Sequence, residues 1–230
     1  MPAALLTRDE ILERLYETFG RYGYEGASMA RIAASTGLGK ASLYHHFPGG
    51  KREMAQAVLA HVRGWYEINV FRTLEGVTPP RQRIAAMLEA IGRHHDGGNK
   101  ACLPALLALT EERSVFGTAI RDLFHRMIGA IAQTLCDAGF ARDIATRRAA
   151  EAALRIQGAL VLARAMTDPR IYTAMASELP DQLLTGADRS ALWTARGAPR
   201  FAAPPPVQAI RGAEPAAAAA APAGSLTLSS

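Results

Sequence analysis

Between Gly26 and Arg52 the chain carries Arg31, Lys40, Lys51 and Arg52, two adjacent histidines and several hydroxyls, but no Asp or Glu. Such residues donate hydrogen bonds and positive charge. Donors clustered without a carboxylate suit phosphate oxygens and the acceptor edges of bases better than they suit acid–base catalysis. Within this stretch the run "GKASLYHHF" places Lys40, Ala41, Ser42, Tyr44, His45 and His46 close together, and Lys51 follows a Pro-Gly-Gly break. The whole chain has a net charge of +5 and a pI near 9.6, so a polyanionic partner is compatible with the remaining surface.

A second constellation, His94-His95-Asp96 with Cys102 nearby, has residue types that bind metals or hydrolyse esters. Its spacing argues otherwise. Adjacent helical residues diverge by about 100°, so neighbouring histidines chelate poorly. The simpler reading is a polar helix end, where histidines suit the negative end of the helix dipole and Gly97-Gly98 form the cap and loop. No nucleophile elbow, phosphate-cradling glycine loop or HExxH occurs, and Cys102 and Cys136 form no CxxC pair. We therefore expect no catalytic residues, no metal, no cofactor and no disulfide framework. A third set, Trp65, Met87, Ile91, Leu106 and Phe124, is spaced as inward helix faces; core is the default for each. If these residues line an apolar cavity, Trp65 and Phe124 are the leading wall residues, and His94 or His125 would be its polar anchor.

The elements that must position these groups are all helical: Ala and Leu dominate, β-branched residues are sparse and no alternating pattern recurs. Thr7-Arg8-Asp9-Glu10 reads as a capping box, starting a helix near Arg8 whose apolar face is Ile11, Leu12, Leu15, Tyr16, Phe19 and Tyr22. Ser28 caps a short second helix that buries Met29, Ile32 and Ala33, and Gly37 ends it in the left-handed conformation. A third helix from about Gly39 to Phe47 seats Leu43 and Phe47 inward, which turns Ala41, Ser42, Tyr44 and His45 outward with Lys40 and His46 beside them. This is a helix-turn-helix arrangement, whose second helix enters a major groove. Lys51 then opens a long helix through Val58, Leu59, Val62, Trp65, Tyr66 and Ile68 to about Leu74, and its free amides suit a phosphate. Further helices are expected near 80–95, 101–112, 116–138 and 142–166, and one more after Pro169.

Residues Thr7 to Val62 resemble the TetR family of bacterial transcriptional regulators, through "ARIAASTGLGKASLYHHF" and the lysine that starts the next helix. The "FPGGK" loop, "CLPALLAL" and "GALVLARAMTDP" are similar to its LmrA/YxaF-like branch. Gly39 stands where many members carry a serine-type cap. The resemblance implies an all-α fold, with an N-terminal three-helix DNA-binding domain at 1–50 and a larger helical ligand-binding and dimerisation domain at 51–195. It also implies a homodimer formed by that domain's last two long helices. By position, Lys40, Ala41, Ser42 and His45 would face base edges, while Ser28, Tyr44, His46 and Lys51 would hold phosphates.

The small residues Ala149, Ala152, Ala153, Ile156, Gly158 and Ala159 allow close helix approach, either at a dimer seam or within one subunit. From 196 to 230 the Pro/Ala-rich composition is that of a disordered tail. The expected function is a ligand-responsive repressor that binds a palindromic double-stranded operator as a homodimer and is released by a small apolar effector. The alternatives are a helical small-molecule binding protein with an unused head, a transcriptional activator, and, last, an enzyme with a His94/His95 metal site. The opening segment is too soon acidic for a signal peptide and no apolar run reaches membrane-spanning length, so a cytoplasmic location is expected and no membrane partner.

Overall fold

A capping box opens the first helix. In the computed structural model, Thr7 Oγ1 accepts from the Glu10 amide at 3.2 Å, and Glu10 Oε2 accepts from the Thr7 amide at 2.7 Å. The structure describes residues 6–109 and 113–186; the 196–230 tail expectation lies outside them. Helix α1 (Arg8–Gly26) buries Ile11, Leu12, Leu15, Tyr16 and Phe19. Tyr22, expected on the same face, is exposed instead: it sits at the last helical turn before Gly23 breaks the helical geometry (φ 68), and the Arg31 guanidinium lies over its ring at 4.7 Å. Helices α2 (Met29–Thr36) and α3 (Lys40–His46) complete a small three-helix unit around Ile32, Leu43 and Phe47. Met29 and Ala33 are only partly buried at its edge.

Helix α4 (Gly50–Tyr66) packs along α1 and runs on through a π-helical turn (Glu67–Phe71) into a last short turn, α5 (Arg72–Leu74). The wide turn shifts the helix register, burying Val70 and Phe71 and leaving Ile68, expected inside, 59% exposed. Arg83, itself buried, holds that end in place: its Nη1 donates to the Leu74 carbonyl and to Asp137 Oδ2, both at 2.8 Å. Helices α6 (Pro80–His94), α7 (Leu103–Ala108), α8 (Arg113–Asp137), α9 (Arg142–Met166) and α10 (Arg170–Leu184) form the larger bundle, and no strand occurs among the described residues.

The loop between α6 and α7 is pressed against α9. At Gly98, with φ 110, a Cβ would lie 2.6 Å from the Ala163 Cβ, so only glycine fits both the backbone and the space. Ala149, Ala152, Ala153, Ile156 and Ala159 are buried inside this subunit, where α9 meets α8 and α10, so their small size serves intramolecular packing. The face of α9 that remains exposed is a different one: Leu154, Val161, Leu162 and Met166.

Candidate nucleic-acid interface

The placement of α3 follows from three local devices. Ser28 Oγ accepts from the Arg31 amide at 3.3 Å and starts α2. Gly37, at φ 72, ends α2 with its amide on the Ala33 carbonyl, and Thr36 turns its hydroxyl back to the Ile32 carbonyl at 2.7 Å. Arg14 of α1 reaches across to the Thr36 carbonyl at 2.9 Å, tying the turn to the first helix. Leu43 and Phe47 are then fully buried, and their burial fixes which side of α3 faces out.

That outer side holds Lys40, Ala41, Tyr44 and His45, all exposed, with Ser42 and His46 half-buried at its flanks. Tyr44 is 49% exposed although it is a large aromatic, and its ring edge lies over Gly50 at the start of α4. The His45 and His46 rings sit 5.8 Å apart at 72°, an edge-on arrangement, and no three-residue metal-binding group occurs among the described residues. Gly39 supplies no side-chain cap, so the first amides of α3 stay available to an outside acceptor. Ser28 is exposed, and its hydroxyl proton is free to donate outward while its oxygen accepts from Arg31.

The start of α4 differs from the sequence expectation. Lys51 is half-buried: its ammonium donates to the Tyr24 carbonyl at 3.1 Å, lies 4.3 Å over the Tyr24 ring and sits 3.8 Å from Glu25. The Gly49 amide is capped by Glu53 Oε2 at 2.6 Å. Sequence reasoning missed Glu53, although its spacing four residues after a glycine cap was visible. In this conformation Lys51 and the helix start join α1 to α4, and the cations left outward near α3 are Lys40 and Arg52.

The apolar candidates are only partly brought together. Met87 and Ile91, a turn apart on α6, are fully buried. Trp65 stacks on His94 with centroids 4.0 Å apart and an interplanar angle of 23°. Leu106 and Phe124 are partly buried against the core, and His125 lies one residue beyond Phe124 on α8, half-exposed. His94 and His95 do not behave as a charged helix end. Burial lowers His94 to about 4 and His95 to about 3, so both are neutral at pH 7 and draw nothing from the helix dipole.

Residues 11–58 match the bacterial regulatory proteins of the TetR family, and residues 80–178 match the C-terminal domain of LmrA/YxaF-like transcriptional regulators. The chain belongs to the TetR family. Among TetR relatives, the regulator LmrA of Bacillus subtilis is 31% identical over 85 residues, covering 37% of this chain and 45% of LmrA, less than half its length. YxaF of the same organism, an uncharacterised regulator of helix-turn-helix type, is 22% identical over 178 residues, covering 76% of this chain and 93% of its own. Among solved structures, the TetR-family regulator CifR, a cysteine mutant in complex with 26-base-pair operator DNA, superposes with a TM-score of 0.65 at 25% identity. That alignment covers 79% of this chain and 98% of CifR. A TetR regulator from Legionella pneumophila, 20% identical with a TM-score of 0.66, covers 80% of this chain and 100% of its own and shares the fold.

Proposed function

We propose that this TetR-family chain is a ligand-responsive transcriptional repressor that binds a two-fold-symmetric operator as a homodimer and is not an enzyme. The observation that carries this reading is the outer face of α3: an acid-free set of donors, held outward because Leu43 and Phe47 are fully buried. In this reading residues 1–50 form the DNA-binding head and 51–195 the effector-binding and dimerising body, and the protein works in the cytoplasm. Lys40, Ala41, Ser42 and His45 face base edges. Ser28, Tyr44 and His46 hold phosphates, and Lys51 joins them on leaving Tyr24.

The dimer contact is assigned to the exposed apolar stripe of α9. Leu154, Gly158, Leu162 and Met166 follow one another at four-residue spacing with Val161 beside them, and four large apolar side chains on one exposed helix face suit a protein interface. Paired α3 helices then sit in successive major grooves. A small effector in the body shifts the population toward dimers with wrongly spaced heads, and a differential affinity of about 5 kcal/mol moves such an equilibrium nearly from one end to the other. The test is a gel shift with the duplex preceding the protein's own gene, with heparin as polyanionic competitor. The expected result is a discrete complex that survives heparin; loss of all binding to heparin would overturn the reading.

A further inference from the structure

Three helices meet at one ring. Gly23, at φ 68, sets off the last turn of α1, and the Tyr24 ring in that turn stacks on Phe19 of the same helix, with centroids 6.0 Å apart at 16°. It meets Phe116 of α8 edge-on, at 5.7 Å and 67°. Phe19 is fully buried and Phe116 is 3% exposed, so packing on both sides fixes the Tyr24 ring. The third helix is α4. The Lys51 ammonium lies 4.3 Å over the Tyr24 ring, donates to the Tyr24 carbonyl at 3.1 Å and sits 3.8 Å from Glu25 Oε2, with 24% of its side chain exposed.

Lys51 is the cation that the operator-binding reading gives to a phosphate, yet the chain itself holds it. The other group at this helix start that suits a phosphate, the Gly49 amide, is held by Glu53 Oε2 at 2.6 Å. A phosphate must therefore draw Lys51 away from a ring, a carbonyl and a carboxylate, and the contacts given up subtract from the affinity gained. We propose that Tyr24 is a positioning residue for operator binding: its ring holds Lys51 off the duplex, and Phe116 holds the ring, so that the placement of α8 sets how firmly the cation is kept. The inference rests on the operator-binding reading above and names the contact that restrains one of its cations.

The sign of the effect separates this role from packing. Removing a ring that only packs the head loosens the joint between α1 and α4 and weakens operator binding. Removing a ring that restrains Lys51 tightens it, and only while Lys51 is present.

The experiment has two readouts on the full chain. In proton–carbon NMR of the free protein the Lys51 ε-methylene protons should lie upfield of those of Lys40 and Lys100, because they are shielded above an aromatic ring; their signal is assigned by its loss in Lys51→Met. Adding the duplex that precedes the protein's own gene should return the signal to the ordinary position. Anisotropy titrations with the same duplex give the affinities. Tyr24→Leu should bind roughly two- to fivefold more tightly than the natural chain, the size of a partly exposed cation–ring contact. Tyr24→Phe, which restores a ring, should return the affinity to its starting value, and Tyr24→Leu should add nothing when Lys51→Met is already present. Phe116→Leu should shift the free Lys51 signal part of the way downfield and tighten the complex in the same direction; with the Lys51 signal, it decides the matter should Tyr24→Leu not fold. The inference is overturned if the Lys51 protons of the free protein are not upfield, if they stay upfield in the complex, or if Phe116→Leu leaves them unmoved. It is equally overturned if folded Tyr24→Leu binds more weakly, or binds more tightly to the same degree without Lys51. A complex with the natural chain and unchanged affinity in the variants sinks this inference alone; no complex with the natural chain sinks the operator reading, and this one with it.

Discussion

The hydroxyl of Tyr16, on α1, donates to the backbone carbonyl of Ala101 at 2.8 Å, joining the helix that carries the DNA-reading unit to the loop between α6 and α7. Other contacts follow the same line. Lys100 reaches Glu13 and Glu17 at 3.7 and 3.4 Å, and Arg164 of α9 points toward the carbonyls of Asn99 and Gly20. Exposed ion pairs contribute little, so the part-buried Tyr16 bond is the strongest single polar tie in this set.

Tyr16→Phe removes that tie and nothing else. Urea unfolding should show a loss of about 1 kcal/mol, and hydrogen exchange should accelerate in α1 to α3 while α8 and α9 keep their protection. Equal acceleration in both regions would contradict a tie specific to α1.

Variants of α3 should separate positioning from base reading. Tyr44→Phe should weaken binding to every duplex alike, by roughly 1 kcal/mol or about fivefold in Kd. Lys40→Ala should lower the slope of log affinity against log salt by about 1. His45→Ala should change the preferred base at one position of each half-site. Anisotropy titrations over a salt series, with a panel of single-base variants, check all three.

The buried histidines impose a pH dependence. Their native pKa values, about 4 for His94 and about 3 for His95, lie below the ordinary histidine value of about 6.5, chiefly through burial, then through the Lys100 and His61 charges at His94 and the His94 and Lys100 charges at His95. The unfolded chain therefore binds more protons than the native one between the two values. The stabilisation is complete above about pH 6.5 and is lost as pH falls toward 3, at up to roughly 1.4 kcal/mol per pH unit for each histidine. Urea midpoints from pH 7.5 to 4.5 should fall accordingly, and His95→Leu should flatten the curve. Unchanged midpoints down to pH 4.5 would contradict the burial of both rings.

On α9, Leu162→Glu should halve the mass in sedimentation velocity with little change in the unfolding of the subunit, because Leu162 is 53% exposed. Ala152→Leu should do the reverse, destabilising the subunit by about 1–3 kcal/mol through overpacking, since Ala152 is fully buried. A dimer that survives Leu162→Glu would place the interface elsewhere.

Much of the fold was legible in the sequence because its signals are local. The Thr7–Glu10 box, the Ser28 cap and Gly37 each settle a helix end through atoms a few residues apart, and the observed ends agree. What escaped the sequence depends on long-range packing. Ile68 is exposed because a π turn follows Tyr66, and nothing local to "YEINVF" announces that turn; Arg83 meets Asp137 across 54 residues. The small residues Ala149 to Ala159 fit a dimer seam or burial within one subunit equally well by spacing, and only the positions of α8 and α10 show that they are covered within the subunit. Lys51 was recognised as a cation near the groove, but its partner Tyr24 lies 27 residues back. His94 and His95 were read as a polar end because a sequence does not reveal what covers a helix end.

The central claim, that the outer face of α3 reads a duplex in two-fold register, is tested most directly by selecting bound duplexes from a random pool with the full chain. The expected result is enrichment of one inverted repeat whose half-sites lie in successive major grooves, about one helical turn apart, with enrichment lost in His45→Ala or redirected to a different base. Recovery of sequences with no common repeat, or of the same repeat by His45→Ala, would contradict it.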